Sequence, residues 1–450
     1  MRRYSSYKDS GVEWIGEIPS HWEETRLRYS GKLFGGLTGK SGDDFKQEDN
    51  PNNKPYIPYT NIFRNTYISK KHVDYVVIGD DENQNRVKKF DIFFLMSSET
   101  YQDLGKPCIL IEDVEELYLN SFCKGFRVSR DDVSPLFLNY QLLGDIHKEL
   151  ISIEGRGFTR INLRQDRLND TPILLPPLSE QEQIVSYLDR KTEGIDKLIQ
   201  TKERKIELLK EYRTSLISKV VTKGLNPNVK MKDSGVEWIG EIPEHWGTIK
   251  LKFQGEVIIG LSYSPDNVVD ERDGTTLVMR SSNVQNGKTS FHDNVFVNSD
   301  IPDKLRTREN DILICSRNGS RNLIGKNCLI PKENEDLTWG VFMTVYRSKS
   351  PKFIYWLLNS PVFESQSGLF LTSTINQLTV SNLENMVVPF VSDINEQNQI
   401  VSYLDEQTQL IDKNIQTEER KIELLKEYRQ SLISEVVTGK INVSNDEEVH

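Results

Sequence analysis

The chain has 450 residues, 36% hydrophobic and 28% charged; this is enough for two domains, and no apolar run reaches the roughly 18–20 residues of a membrane helix. The net charge is −10, and residues 1–178 hold 24 Lys and Arg against 27 Asp and Glu. That excludes a generally basic nucleic-acid binder: phosphate contacts must come from local patches or a partner.

Met1-Arg2-Arg3-Tyr4 opens onto polar residues rather than a secretory core, so a cytoplasmic location is expected. The first recognisable element is an arm at residues 8–22, KDSGVEWIGEIPSHW, which returns at 232–246 as KDSGVEWIGEIPEHW with Glu244 in place of Ser20. Trp14 with Trp22, and Trp238 with Trp246, are expected to pack each arm onto its body. Next, Gly35–Ser41 resembles a phosphate-binding loop, but Phe34 stands where the first glycine is required. Thr38 and Lys40 remain candidate nucleic-acid contacts, with Ser262 and Tyr263 after Gly260-Leu261 in the second copy.

Short β-rich runs then alternate with polar loops: Tyr56–Pro58, Val73–Ile78, Asp91–Leu95 and Cys108–Ile111, then Leu277–Met279, Asp311–Ile314 and Cys328–Ile330. Each body therefore reads as mixed α/β, of the α+β kind, with irregular strands. The loops after the matched strands carry side chains that can read base edges. In the first body these are Ser98, Glu99, Tyr101 and Gln102, and in the second Arg317, Asn318, Ser320 and Arg321. Arg favours guanine edges, Asn and Gln adenine, and Glu accepts from cytosine. A third loop supplies Arg156, Phe158, Thr159 and Arg160; its counterpart supplies Thr372, Thr374, Asn376 and Gln377. Tyr59, Thr60 and Asn61, with Arg280, Ser282 and Asn283, complete the candidates, although Asn61 and Asn283 suit turns equally well. Ordinary surface loops would share much of this composition.

Beyond Pro176-Pro177, apolar residues recur at alternating steps of three and four: Val185, Leu188, Ile195, Ile199, Ile206, Leu209, Leu216 and Val220. The pattern repeats at Val401, Leu404, Ile411, Ile415, Ile422, Leu425, Leu432 and Val436. A 3.5-residue period held this long predicts a coiled-coil seam. Thr192, Lys202 and Arg213 interrupt the first seam; Thr408, Glu418 and Arg429 interrupt the second. Parallel pairing would set Arg213 beside Arg429, whereas antiparallel pairing sets each arginine near a threonine. Lys202 and Glu418, at the two midpoints, then fix register. The expected layout is a body at 1–178, a helix at 179–222, a second body at 223–394, a helix at 395–437 and a polar tail at 438–450. The two helices pair antiparallel with pseudo-two-fold symmetry.

Catalytic signatures are missing from this pattern. The 6 histidines are scattered, and the 4 cysteines (Cys108, Cys123, Cys315, Cys328) have no metal-ligand spacing, so neither a metal nor a cofactor site is expected. The doubled GVEWIGEIPxHW arm, Leu175-Pro176-Pro177-Leu178-Ser179-Glu180-Gln181 before the first helix, and the LLKEYR helices give a more specific signal. Across essentially the whole chain the frame resembles the specificity subunits of bacterial and archaeal type I restriction-modification systems. The second lead-in departs from the pattern, reading Val388-Pro389-Phe390-Val391 before Glu396-Gln397. The resemblance implies a non-catalytic subunit with two target-recognition domains, each reading half of a split site in double-stranded DNA. It also implies that the helices set the spacer and dock two methyltransferase subunits using S-adenosylmethionine, with motor-nuclease restriction subunits joining them. A methyltransferase or nuclease with a fused recognition domain, or a coiled-coil scaffold unrelated to DNA, would be the competing classes.

Overall fold

The computed structural model describes residues 3–45, 49–157, 159–370 and 377–443. It forms two compact units, Met1–Lys202 with Arg420–His450, and Glu203–Glu419. The division falls inside the long helices, so each unit owns one body and half of each helix. Residues 438–443, expected as polar tail, instead contribute Ile441 and Val443 to the core of the first unit beside Ile18 and Trp22.

In the first unit a five-stranded sheet runs in the order Gly31–Gly35, Cys123–Val128, Ile92–Leu95, Pro107–Leu110 and Tyr67–Ile68. Ile92-Phe93-Phe94-Leu95 is buried throughout, with Ile92 and Phe94 in one apolar cluster and Phe93 and Leu95 in another. Alternating side chains fill both sides of the sheet, so the strand reads as an unbroken apolar run. In the second unit the equivalent sheet is Gly255–Ile259, Met343–Ser348, Ile312–Cys315 and Asn327–Leu329. One charge pair on a buried aspartate recurs in both. Arg127 grips Asp91 through two bonds of 2.8 and 2.6 Å, and Arg347 grips Asp311 at 2.8 and 2.7 Å. The Asp-Ile dipeptides of the sequence are these anchors.

The repeated arm and the repeated Glu-Gln are two halves of one lock. Glu180 accepts from Trp22 Nε1 at 3.2 Å and lies 2.8 Å from His21 Nε2; Glu396 does the same with Trp246 and His245, both at 3.0 Å. Gln181 donates to the carbonyls of Asp132 and Pro176, tying the helix start to its body. Trp22 and Trp246 are buried, as expected of an arm that packs. Trp14 and Trp238 are not: they stand 57% and 39% exposed on the turns between the arm strands.

The long helices span Leu178–Lys223 and Ile394–Val437. In the second unit Lys205 meets Glu418 and Arg213 meets Asp412, both at 3.0 Å, so residue numbers rise on one helix as they fall on the other. Pairing there is antiparallel. In the first unit Arg429 meets Asp196 at 3.1 Å, the same pair in the other copy of the repeat. The seam arginines thus find aspartates one turn beyond Thr192 and Thr408, whose hydroxyls donate back to Leu188 and Leu404 within their own helices.

His147, on the helix Asp145–Ile153, is fully buried and donates from Nε2 to the Pro172 carbonyl at 2.8 Å. Burial holds its pKa down at about 4, below the usual 6.5. The neutral ring therefore stabilises the fold fully above pH 6.5, and that contribution drains away as pH falls toward 4. Between pH 7 and 5 the loss is about 2 kcal/mol. Urea midpoints of the native chain and of His147→Gln should show a shallower acid-side decline in the variant. Parallel declines would assign the acid sensitivity elsewhere.

Candidate nucleic-acid interface

In the second unit, loops far apart in sequence converge on a cleft of about 900 Å³. Ser262 and Tyr263, Arg280 and Ser282, and Arg317 and Asn318 all line it, together with Phe342. The loop after Gly260 is clamped by Leu261 N donating to Trp339 O at 2.7 Å, and a Cβ on Gly260 would collide with the Gly340 carbonyl. Arg317 N donates to Phe342 O at 3.0 Å, and the guanidinium lies over the Phe342 ring, 5.4 Å from its centre. Asn318 donates to Ser281 Oγ at 3.2 Å and accepts from Ser320 N at 2.9 Å. Arg321 is exposed at the following turn, and Gln377 forms a β-bridge with Arg317.

The first unit builds the same place from different residues. Leu37 N donates to Leu119 O at 2.7 Å, and Gly36 abuts Asn120 as Gly260 abuts Gly340. Tyr59 donates to Ser97 O at 2.9 Å, while Thr60, Glu99, Tyr101 and Gln102 are exposed. Thr38 is exposed, its backbone and hydroxyl both donating to Gln84. Thr159 and Arg160 are exposed, and the Arg160 guanidinium lies 5.7 Å from the centre of the Phe122 ring.

Several sequence candidates also hold their own loops together. Asn283 is buried, accepting from Arg280 N and donating to Ser290 O, and Asn61 donates to His72 O; both serve their turns. Ser98 is buried on a ladder with Ile161 and accepts from Thr100 N. Lys40 is neutralised by Glu82, whose pKa it and the Gly79 amide hold down at about 2. Arg156 donates to the carbonyls of Ile153 and Gly155, and Arg280 pairs with Asp293 at 2.8 Å. Phe158, Thr372, Thr374 and Asn376 lie outside the described residues.

Two residues at this face escape the sequence reading. Phe122 and Phe342 are each 56% exposed, directly before the strands Cys123–Val128 and Met343–Ser348. The shift that places Asp91 on Asp311 also places Phe122 on Phe342, so aligning the two interiors would have found them.

Each unit carries the same scaffold with different exposed loops, and known proteins share the fold. Residues 19–208 match the family model described as the type I restriction modification DNA specificity domain. A putative type I restriction enzyme specificity subunit, MjaX of Methanocaldococcus jannaschii, is 27% identical over 95% of this chain and 96% of its own length. Along almost its whole length the chain is similar to type I restriction enzyme specificity subunits. The MjaVIII specificity subunit of the same organism is 24% identical over 95% of each chain. Among solved structures, a chain from work on complex assembly and conformational transition of the type I R-M system superposes with a TM-score of 0.72 at 15% identity, covering 94% of this chain and 99% of that one. The HsdS subunit from Thermoanaerobacter tengcongensis gives a TM-score of 0.53 at 16% identity, covering 94% and 98%. Such subunits are the DNA-recognition, non-catalytic components of their complexes. No helix among the described residues is long and apolar enough to cross a membrane.

Proposed function

We propose that this chain is a specificity subunit that reads a split, asymmetric site in double-stranded DNA, one recognition body per half, and brings methyltransferase and restriction subunits to it. The observation that carries this is a substitution on a common ladder. Ser97 stands opposite Asn162 in the first unit, and Arg317 stands opposite Gln377 in the second. The scaffold is held constant while the side chains facing outward change, which is what two different half-sites demand. The long helices set the spacer, and Lys202 and Glu418 fix their register.

Partner docking is supported by apolar surface that the repeat preserves. In the second unit Leu208, Tyr212 and Trp238 are exposed, and in the first Leu424, Tyr428 and Trp14. The same exposed apolar residues in both copies suit two copies of one partner. A methyltransferase bound there would supply the S-adenosylmethionine chemistry on adenine, and basic surface that this acidic chain lacks. Mapping methylated adenines genome-wide in the host with and without this gene tests the reading. One split motif should disappear with the gene; an unchanged methylation pattern would refute it.

A further inference from the structure

Of the arginines at and beneath this face, Arg156 and Arg280 are held by loop carbonyls or a carboxylate, Arg127 and Arg347 by buried aspartates, and Arg321 stands exposed at the next turn with no ring beneath it among the described contacts. Arg160 and Arg317 differ from all five. Neither makes an ion pair among the described residues, and each lies over the exposed ring of Phe122 or Phe342. The two phenylalanines occupy the same position of the fold, but the arginines do not. Arg317 sits on the strand end equivalent to Ser97, whereas Arg160 sits at the tip of the hairpin facing that strand, closed by the Arg156–Asn162 bridge. The two units bring a guanidinium to one place by different routes.

A scaffold requirement would have kept the same arginine in both copies, as it kept Arg127 and Arg347. Arrival from opposite sides of a ladder points to a demand from outside the protein. A guanidinium laid on an aromatic face keeps its donor edge free and gives up much of its rotational freedom before any ligand arrives. Two parallel donors at a fixed angle match O6 and N7 of guanine in the major groove. Tyr59 donates to the carbonyl of Ser97, on the strand that the Arg160 hairpin faces, and Tyr263 and Asn318 share the Arg317 cleft, so polar groups lie beside both stacks.

From this we infer that Arg160 on Phe122 and Arg317 on Phe342 are equivalent specificity-determining pairs, each reading one guanine of its own half-site. The inference rests on the split-site reading and adds a base and two residues to it. The test uses the subunit assembled with its methyltransferase and duplexes carrying the mapped motif, each base pair replaced in turn. Arg317→Gln should reduce discrimination at one G·C pair of one half-site by about 5- to 150-fold, and Arg160→Gln should do so in the other half. Phe342→Leu and Phe122→Leu should weaken preference at those same pairs, and Arg317→Lys should not restore it, because an ammonium lacks the planar fork. The half-site left untouched in each variant reports intact folding. Equal loss on every duplex with a shallower salt dependence would reassign the arginines to phosphate and overturn the inference, as would unchanged base preference. A native complex with no split motif would instead refute the reading on which it rests.

Discussion

Exchanging residues 24–174 for the interior of a specificity subunit with a different known half-site should change one half of the methylated motif and leave the other half intact. The exchange points suit this surgery because Glu24 and Leu174 face each other on one antiparallel rung, Glu23–Arg26 against Pro172–Leu175. Both cuts therefore fall at the same height of a single ladder, outside the lock of Trp22 and His21 on Glu180. Inside the exchanged segment, Gln141 donates to Leu174 O, and Ser434 ties to Asp145 through its backbone and carboxylate. A donor interior must keep Phe137, Tyr140, Gln141 and Asp145, or it will lose its seat on the helices. With those retained, several base pairs change identity together. At about 1–3 kcal/mol per mismatched pair, the old half-site should be disfavoured by more than about 10³-fold. Methylation mapping of the exchanged subunit would show one new half beside one old half at the old spacing. New bases in both halves, or an altered spacer, would rule out one body per half.

Much of this organisation was legible in the sequence because it rests on strong, local signals. The doubled arm, the 3.5-residue seam and the buried strands at Asp91–Leu95 and Asp311–Ile314 all appear where the patterns place them. Antiparallel pairing followed from the clash of Arg213 with Arg429, but their aspartate partners did not. A heptad reading tracks the seam, and Asp196 and Asp412 flank it. The recognition face was harder to read, since exposure depends on tertiary packing. Asn283 and Arg317 both suit adenine or guanine by residue type, yet one is buried as a turn clamp and the other stacks on an exposed ring. Trp14 and Trp22 share one short motif, and only the fold shows that one is core and the other surface. Phe122 and Phe342 gave no local signal, because an exposed aromatic and a core aromatic look alike until the copies are superposed.

Reversing the charge at Glu418 should be the most damaging single substitution in the helical frame. Glu418 is buried in the seam, and its partner Lys205, 57% exposed as a side chain, brings Nζ to 3.0 Å from its carboxylate. Glu418→Lys would place an ammonium in that buried position and a second one beside it, with the carboxylate gone. Burying an ammonium that has no counter-charge costs on the order of several kcal/mol. Glu418→Met removes the carboxylate without adding a charge and leaves Lys205, 57% exposed, to the solvent, so its cost should be smaller. The gap between the two variants, read as the difference in urea midpoint, therefore isolates electrostatics from packing. If Glu418→Lys costs no more than Glu418→Met, the pair contributes nothing to the seam. Register is a separate question, answered by spacing rather than stability. Lys202→Glu and Glu418→Met should loosen the preference for a single spacer length in the methylated motif, because a uniformly apolar or mismatched midpoint lets the helices slide by a heptad. An unchanged, single spacer in both variants would move register control to Arg213–Asp412 and Arg429–Asp196, the pairs that the repeat itself has duplicated.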